Sequence, residues 1–334
     1  MTGRLAAILR AGLRRLRSDP HGRLLAGAAL LTGLALAMPP VALTRSRVEA
    51  LVVVDITGSM NTRDYARDGR PASRLEITKA ALRWMAADLP CGSRLGLALF
   101  SERRVFLLFE PVEVCADFAP LDGAIAGLDW RMAWDGDSRI AAGLHRAIAL
   151  AGELGSDLAF VTDGHEAPPL PAGGPPPFEG RAGAVRGVIL GTGGYGLSPI
   201  PRYDDRGRET GFYGPGDVPH ENRFGPPPPD AETREGYNPR NAPYGALPAE
   251  GSEHLSSVRE AYLRRLAGET GLAYAHLAGP DGLAEPVTAA ATPRPVRAVV
   301  DLRPIPGALA LACLVALYGL LPWRDRRRLQ YGKV

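Results

Sequence analysis

The 334-residue sequence lacks the arrangements on which many hydrolases, nucleotide-binding proteins and zinc proteins are built. No serine, histidine and aspartate follow one another in a triad order, no glycine-rich loop is placed to cradle a phosphate, and no cysteine and histidine spacing suits zinc. No internal repeat is present. Excess charge of one sign is also scarce, with a formal net charge of +3 from 39 basic and 36 acidic residues. What there is lies at the ends: Arg4, Arg10, Arg14, Arg15, Arg17 and Arg23 crowd the start, and Arg324, Arg326, Arg327, Arg328 and Lys333 the finish. The middle is therefore acidic overall. The arginines sit beside apolar runs rather than among aromatic residues, which argues against nucleic acid as a partner. A hydrophobic content of 46% excludes a disordered chain and is enough for a real core.

Each basic cluster abuts an uncharged apolar run, residues 24–43 and 304–322, of the length a helix needs to cross a bilayer. Two transmembrane helices are the simplest reading. Arginine-rich flanks stay on the cytoplasmic side, so the tails 1–23 and 323–334 point inward and the region between the spans is exported. The first run has a rival reading as a cleaved leader, because Ala35-Leu36-Ala37 has the form of a signal-peptidase site and Pro39-Pro40 follows it. Retention is favoured, since the run continues to Leu43.

Of the three cysteines, Cys313 falls within the second run and reads as a small apolar residue. The segments "RLGLALF" and "RVFLLFE" read as two strands joined by a tight turn at 101–104. Cys91 and Cys115 lie equally far from the turn centre, so an antiparallel hairpin brings them to one end, and a disulfide is expected there. The alternative is two unpaired small residues.

Between the runs, short apolar strands alternate with amphipathic helices from 48 to 277, the pattern of an α/β domain with a mostly parallel sheet. The segment 48–54 is near-continuously apolar, as expected of a central strand covered on both faces. Ser73 and Glu76 form a capping box for a helix carrying Leu75, Leu82, Met85 and Leu89 on one face, with Leu75 and Trp84 read as core. Helices are expected over about 116–128 and 139–154, then the strand "DLAFVT", a linker "APPLPAGGPPPFEG", and the strand "AVRGVILG". A Pro/Gly-rich insertion runs from about 193 to 252. A last helix, "HLSSVREAYLRRLAGETG", ends at Gly271 before the strand "LAYAHL", and 278–303 reads as a linker to the second span.

Open parallel sheets place their sites at the carboxyl ends of the strands. In "LVVVDITGSM" Asp55 stands at such an end, with Thr57 and Ser59 just beyond; Asp163 follows the strand ending at Thr162, and Ser138 opens a helix between them. The set Asp55, Thr57, Ser59, Ser138 and Asp163 holds oxygen ligands only, which points to magnesium, calcium or manganese rather than zinc or copper. Taken singly, Asp55 and Asp163 also suit turns, and Ser138 suits a helix N-cap. Asp135 and Asp137 read as solvated loop carboxylates able to touch a metal-bound water. His165 and Glu166 read as surface residues, with ligand orientation as the alternative.

These segments resemble the metal-ion-dependent adhesion site (MIDAS) of von Willebrand factor type A (vWA) domains, whose pattern is DxSxS, then a threonine, then an aspartate in a "TDG"-like turn. Asp55, Thr57 and Ser59 match the first segment with threonine for its first serine, Ser138 stands where the family has threonine, and Asp163 matches within "VTDG". The resemblance implies a Rossmann-like fold and a divalent cation, Mg2+, Ca2+ or Mn2+. The segments "LGTGGYGLSPIPRYDDRGRETGFY" and "YLRRLAGETGLAYAHL" resemble bacterial membrane-anchored proteins of the aerotolerance (Bat) group. "DITGSM", "LPCGSRLGLALF", "LDWRMAWDGDSRIAAGL" and "EHLSSVREAYL" resemble the MxaL-type accessory proteins of bacterial methanol oxidation.

These resemblances imply a non-enzymatic binding module on the periplasmic side of a bacterial inner membrane. They also imply a role in maturing methanol dehydrogenase at its calcium insertion step, with other vWA accessory proteins and a MoxR-type AAA+ ATPase as further partners. One alternative is a Bat-like envelope protein with another client. The other is a metal-dependent hydrolase using Asp55 as nucleophile or Asp163 as base, although the second acid such phosphatases carry is here Thr57.

Overall fold

The computed structural model describes residues 19–133, 137–170, 174–218, 233 and 251–324. The chain divides into two compact units, one of residues 46–296 and one of the two ends, 1–45 with 297–334.

In the end unit the first helix is Pro20–Ala37, opened by the Asp19 carboxylate, which accepts from the His21 and Gly22 N–H groups at 3.0 and 3.2 Å. It stops at Ala37 with Met38 extended, because Pro39 and Pro40 lack the N–H groups a helix needs. The chain then continues as strand β1, Val41–Arg47, which pairs with the late strand Arg294–Val300. Of the expected span at 24–43, residues 24–37 are helical and the last six are not. The second helix starts at Pro304 and runs through a π-helical turn, Ala316–Leu320, to Arg324. Among the described residues it is the one helix long and apolar enough to cross a membrane. At about 1.5 Å per residue it reaches roughly 30 Å, the thickness of a bilayer core. The two helices pack together where Gly27 faces Cys313, which is a free thiol. Leu30, Leu36, Ile305, Leu309, Leu311 and Tyr318 remain exposed, an apolar surface suited to lipid. The basic tails 1–18 and 325–334 lie outside the described residues.

The larger unit is built on a six-stranded sheet. Strand β2, Glu49–Asp55, lies inside it, and the minor strands β3, Tyr65–Arg67, and β4, Arg70–Ala72, form a small hairpin beyond its end. Strand β5, Arg94–Ser101, is parallel to β2, and β6, Arg104–Glu113, returns antiparallel at the edge. On the other side of β2 follow β7, Asp157–Thr162, and β8, Gly187–Thr192, both parallel to their neighbours. The insertion contributes β9, Ser198–Pro199, β10, Pro201–Tyr203, and β11, Glu209–Phe212, and β12, Leu255–Ser256, follows directly after it. Strand β13, Ala273–Leu277, completes the order β13-β8-β7-β2-β5-β6.

The apolar run 50–54 within β2 is explained by its cover. Val52 and Val54 face a layer that includes Leu75, Leu82 and Met85 of the helix Arg74–Asp88, while Leu51 and Val53 face the helices Ile140–Glu153 and Glu260–Thr270. A parallel strand sealed on both faces cannot alternate. Ser73 and Glu76 cap the Arg74–Asp88 helix reciprocally, as their spacing predicts. Trp84 on that helix is corrected: it is 62% exposed, because Leu82, Met85 and Leu89 take the inner face and Trp84 falls outside it.

At the far end of the β5–β6 hairpin Cys91 and Cys115 are joined as a disulfide, with their Cα atoms 5.3 Å apart. The Glu113 carboxylate accepts from the N–H groups of Gly92, Cys115 and Ala116, and these backbone bonds hold it below the ordinary carboxylate range.

Two further expectations change. The stretch read as a linker at 278–303 holds a helix, Ala284–Ala290, and its Val287 is only 2% exposed, packed in the core with Leu283 and Ala291. Thr292 and Arg294 then anchor that return to Asp157 at the start of β7. The last helix begins at Glu260 rather than near His254, since Leu255 and Ser256 pair with Pro199 and Ser198 as β12 and β9. Within the 193–252 insertion, β10 pairs with β11; residues 219–232 and 234–250, including Pro226 to Pro229, lie outside the described residues.

Candidate metal centre

β2, β7 and β8 end at one edge of the sheet, and the polar residues that follow them are enclosed. Asp55 is the last residue of β2 and has no exposed surface. Its Oδ1 accepts from the Thr57 N–H at 2.9 Å and the Thr57 hydroxyl at 2.7 Å, and its Oδ2 from the Thr162 hydroxyl at 2.7 Å. The Thr57 hydroxyl lies 3.5 Å from that of Ser138. Ser138 is placed by the backbone, through N–H to carbonyl bonds exchanged with Ala167 at 2.6 and 2.8 Å. It does not cap the following helix, whose N-cap is Arg139, so the helix-cap reading is set aside.

Ser59 sits in a short 3-10 turn, Gly58–Asn61, pinned by the fully buried Met60. Its hydroxyl is buried near enough to Asp163 to help hold that carboxylate ionised, yet has no partner at hydrogen-bond geometry. Asp163 turns away from β7 through Gly164, whose φ of +77° and contact with Leu263 leave no room for a side chain. Asp163 Oδ1 accepts from the His165 N–H at 2.9 Å. Its Oδ2 accepts from Arg74 Nη1 at 2.5 Å and from the Ser256 hydroxyl at 3.3 Å.

The electrostatics of the two aspartates diverge. Burial, reinforced by the charge of Asp163, pushes the Asp55 carboxyl up to about 7. Burial acts most strongly on Asp163 too, but the Arg74 guanidinium, together with His165 and the Ser59 hydroxyl, outweighs it and holds this carboxyl below the ordinary range. The buried group contains three carboxylates, Asp55, Asp64 and Asp163, against the single guanidinium of Arg74. It is two positive charges short of neutrality when all are ionised.

These features fit a hard divalent cation. The donors are oxygens only, Asp55 lacks a counter-charge, and the Ser59 hydroxyl is unsatisfied. Among the described residues, Cys91, Glu113 and Cys115 also bring their side-chain ligand atoms within 4.8 Å of one another, but there the disulfide has consumed both thiols.

Two neighbouring residues expected at the surface, His165 and Glu166, are instead enclosed. His165 is buried, which lowers its imidazole to about 4 and keeps it neutral. Glu166 is largely enclosed: its Oε1 accepts from the Ala141 N–H at 3.1 Å and the Tyr262 hydroxyl at 2.5 Å, and burial raises its carboxyl. Asp137 lies in the loop before Ser138, 3.8 Å from Arg139, while Asp135 lies outside the described residues. Beside the centre is an open cleft of about 390 Å³ lined by Gly164, Glu166, Leu170, Arg259, Tyr262 and Arg265. Thr162, Arg74, Asp64 and Ser256 were not singled out by the sequence. Thr162 had a signal, its place in "VTDG"; the other three come from a helix start, a loop and a short strand far apart in the sequence and carry none.

Residues 50–165 match the family model described as von Willebrand factor type A domain. The matched residues fall within the α/β architecture of the larger unit, with its mostly parallel sheet flanked by helices. No curated protein matches the chain. Among solved structures, an aerotolerance-related membrane protein from Bacteroides fragilis aligns at 15% identity and a TM-score of 0.44, covering 73% of this chain and 98% of its own. A von Willebrand factor type A protein from Catenulispora acidiphila aligns at 14% identity and a TM-score of 0.36, covering 80% of this chain and 45% of its own. A membrane spanning protein from Vibrio fischeri aligns at 16% identity and a TM-score of 0.27, covering 72% of this chain and 95% of its own.

Proposed function

We propose that the vWA domain is a non-enzymatic, metal-dependent protein-binding module held at a membrane by the Pro304–Arg324 helix. The observation that carries this reading is Asp55, a fully buried carboxylate without a counter-charge, set among hydroxyls at the sheet edge. Asp55, Thr57, Ser59, Ser138 and Asp163 would hold Mg2+, Ca2+ or Mn2+. When bound, the ion offers an electrophilic position to a carboxylate of a partner protein. The chain's own part is to orient the oxygens: Thr162 fixes Asp55, Arg74 keeps Asp163 ionised, and the Ala167 backbone places Ser138. The adjoining cleft, with Leu170 and Tyr262 between Glu166 and Arg259, would receive partner residues flanking that carboxylate.

Topology belongs to the same proposal: two membrane segments, both termini cytoplasmic, and the domain in the periplasm. The client we put forward is a periplasmic methanol dehydrogenase during calcium insertion, with other vWA accessory proteins alongside it and a MoxR-type ATPase reached through the tails. This choice rests on the segment resemblances alone; a Bat-like envelope role with another client shares the same site.

The module is tested by purifying the full-length protein from membranes with its bound partners in Mg2+ or in EDTA. Partners are expected in Mg2+ and lost in EDTA and in Asp55→Ala; an unchanged partner set in all three rejects the reading. The client is tested by deleting the gene and measuring dehydrogenase activity and bound calcium. A fully metallated, active dehydrogenase in the deletion strain rejects that client.

A further inference from the structure

The Arg74 side chain is fully enclosed and all five of its N–H groups are used. Nε donates to Asp64 Oδ2 at 3.0 Å, and Nη2 donates to Asp64 Oδ2 at 2.6 Å and to the Ser256 carbonyl at 3.1 Å. Nη1 donates to Asp163 Oδ2 at 2.5 Å and to the Ser256 hydroxyl at 2.7 Å. One guanidinium thus joins the loop before β3, the metal edge and strand β12.

β12 directly follows the far end of the insertion, and the near end converges on the same cation. The Gly194 N–H donates to Asp64 Oδ2 at 2.8 Å. Gly193, at a φ of +116°, passes so close to the guanidinium that a Cβ there would lie 2.6 Å from Arg74 Nε. The two ends are tied to each other by the β9–β12 pairing and by the Val258 N–H on the Gly194 carbonyl at 2.9 Å. The stem of the insertion and a candidate metal ligand therefore share a single buried positive charge.

That sharing has a sign. Asp163 Oδ2 already accepts from Arg74 and from the Ser256 hydroxyl, so a divalent ion approaching that oxygen meets occupied lone pairs, and one approaching either oxygen meets a like charge in a low-dielectric setting. We propose that Arg74 is a positioning residue that competes with the divalent ion for Asp163, so that metal occupancy and the closed insertion stem oppose each other. The inference rests on the metal-binding reading above. Coupling is reciprocal: the factor by which the ion loosens the stem is the factor by which loosening the stem tightens the ion.

The experiment uses full-length protein in detergent micelles, with Mg2+ affinity measured by calorimetry and amide exchange measured with and without saturating Mg2+. Wild type is compared with Ser256→Ala, which removes a hydroxyl from both Arg74 and Asp163, and with Arg74→Lys. Exchange in peptides spanning 193–199 and 255–258 should quicken about fivefold or more when Mg2+ binds, and folded variants should bind Mg2+ about fivefold or more tightly. A merely structural Arg74 gives the reverse, weaker binding from a less organised site. Should Arg74→Lys not fold, Ser256→Ala decides. Mg2+ binding that leaves stem exchange unchanged or slower, or a folded Ser256→Ala with no gain in affinity, overturns the inference while leaving the metal site standing. Absence of Mg2+ binding by the wild type rejects the metal site and the inference together.

Discussion

The Thr162 hydroxyl donates to Asp55 Oδ2 at 2.7 Å and accepts from the Gly164 N–H at 3.0 Å, so one side chain links the first aspartate to the turn that carries the second. Both partners are buried. Thr162→Val keeps the shape and removes the link, leaving a buried carboxylate oxygen and a buried N–H unsatisfied. Stability should fall by about 1–3 kcal/mol in chemical denaturation, and the affinity for Mg2+ should fall with it.

The raised Asp55 carboxyl gives a pH dependence of definite sign. Between 3.8, its ordinary value, and about 7, the folded protein holds a proton that the unfolded chain has released. Stability contributed by this group therefore falls as pH rises through that window and is flat above it. Asp163, held low, works in the opposite sense at more acidic pH, where its contribution is lost as pH falls. In EDTA, Asp55→Asn should thus gain stability over wild type as pH rises from 4 to 7, read from thermal melts. Mg2+ should stabilise the wild type more above pH 7 than at pH 5, and should do little for the variant.

The Cys91–Cys115 bridge closes a separation of 24 residues at the end of the β5–β6 hairpin. Loop-closure entropy for a loop of that size is worth about 3 kcal/mol. Cys91→Ser with Cys115→Ser, or reduction, should lower the denaturation midpoint accordingly while leaving Mg2+ binding in place, since the bridge is at the opposite end of β5 from the metal edge.

Packing on the Arg74–Asp88 helix provides a matched pair. Leu82→Ala should cost about 2–5 kcal/mol, because Leu82 is fully buried. Trp84→Ala, two residues on but exposed, should change stability by less than about 0.5 kcal/mol.

The strands and the ligand-bearing segments were legible because their signals are local. A run such as 48–54, a capping box at Ser73 and Glu76, and an aspartate at a strand end each show within ten residues. What escaped depends on distant partners. Trp84 looked like core because aromatic residues usually are, and only the rotation of its helix shows otherwise. The helix at 284–290 hid in a small-residue stretch whose burial is set by β8 and the Arg74–Asp88 helix. Arg74 carried no signal beyond a position after an N-cap, since Asp64, Asp163 and Ser256 reach it from up to 182 residues away. The first apolar run was long enough to span a membrane, but Pro39 and Pro40 end its helix early.

The candidate metal centre is best probed by titrating Mg2+ and Ca2+ into full-length wild type, Asp55→Ala and Asp163→Ala in a calorimeter at pH above 7. One ion should bind per wild-type chain, with no measurable binding in either variant. Equal binding by all three proteins would contradict the site.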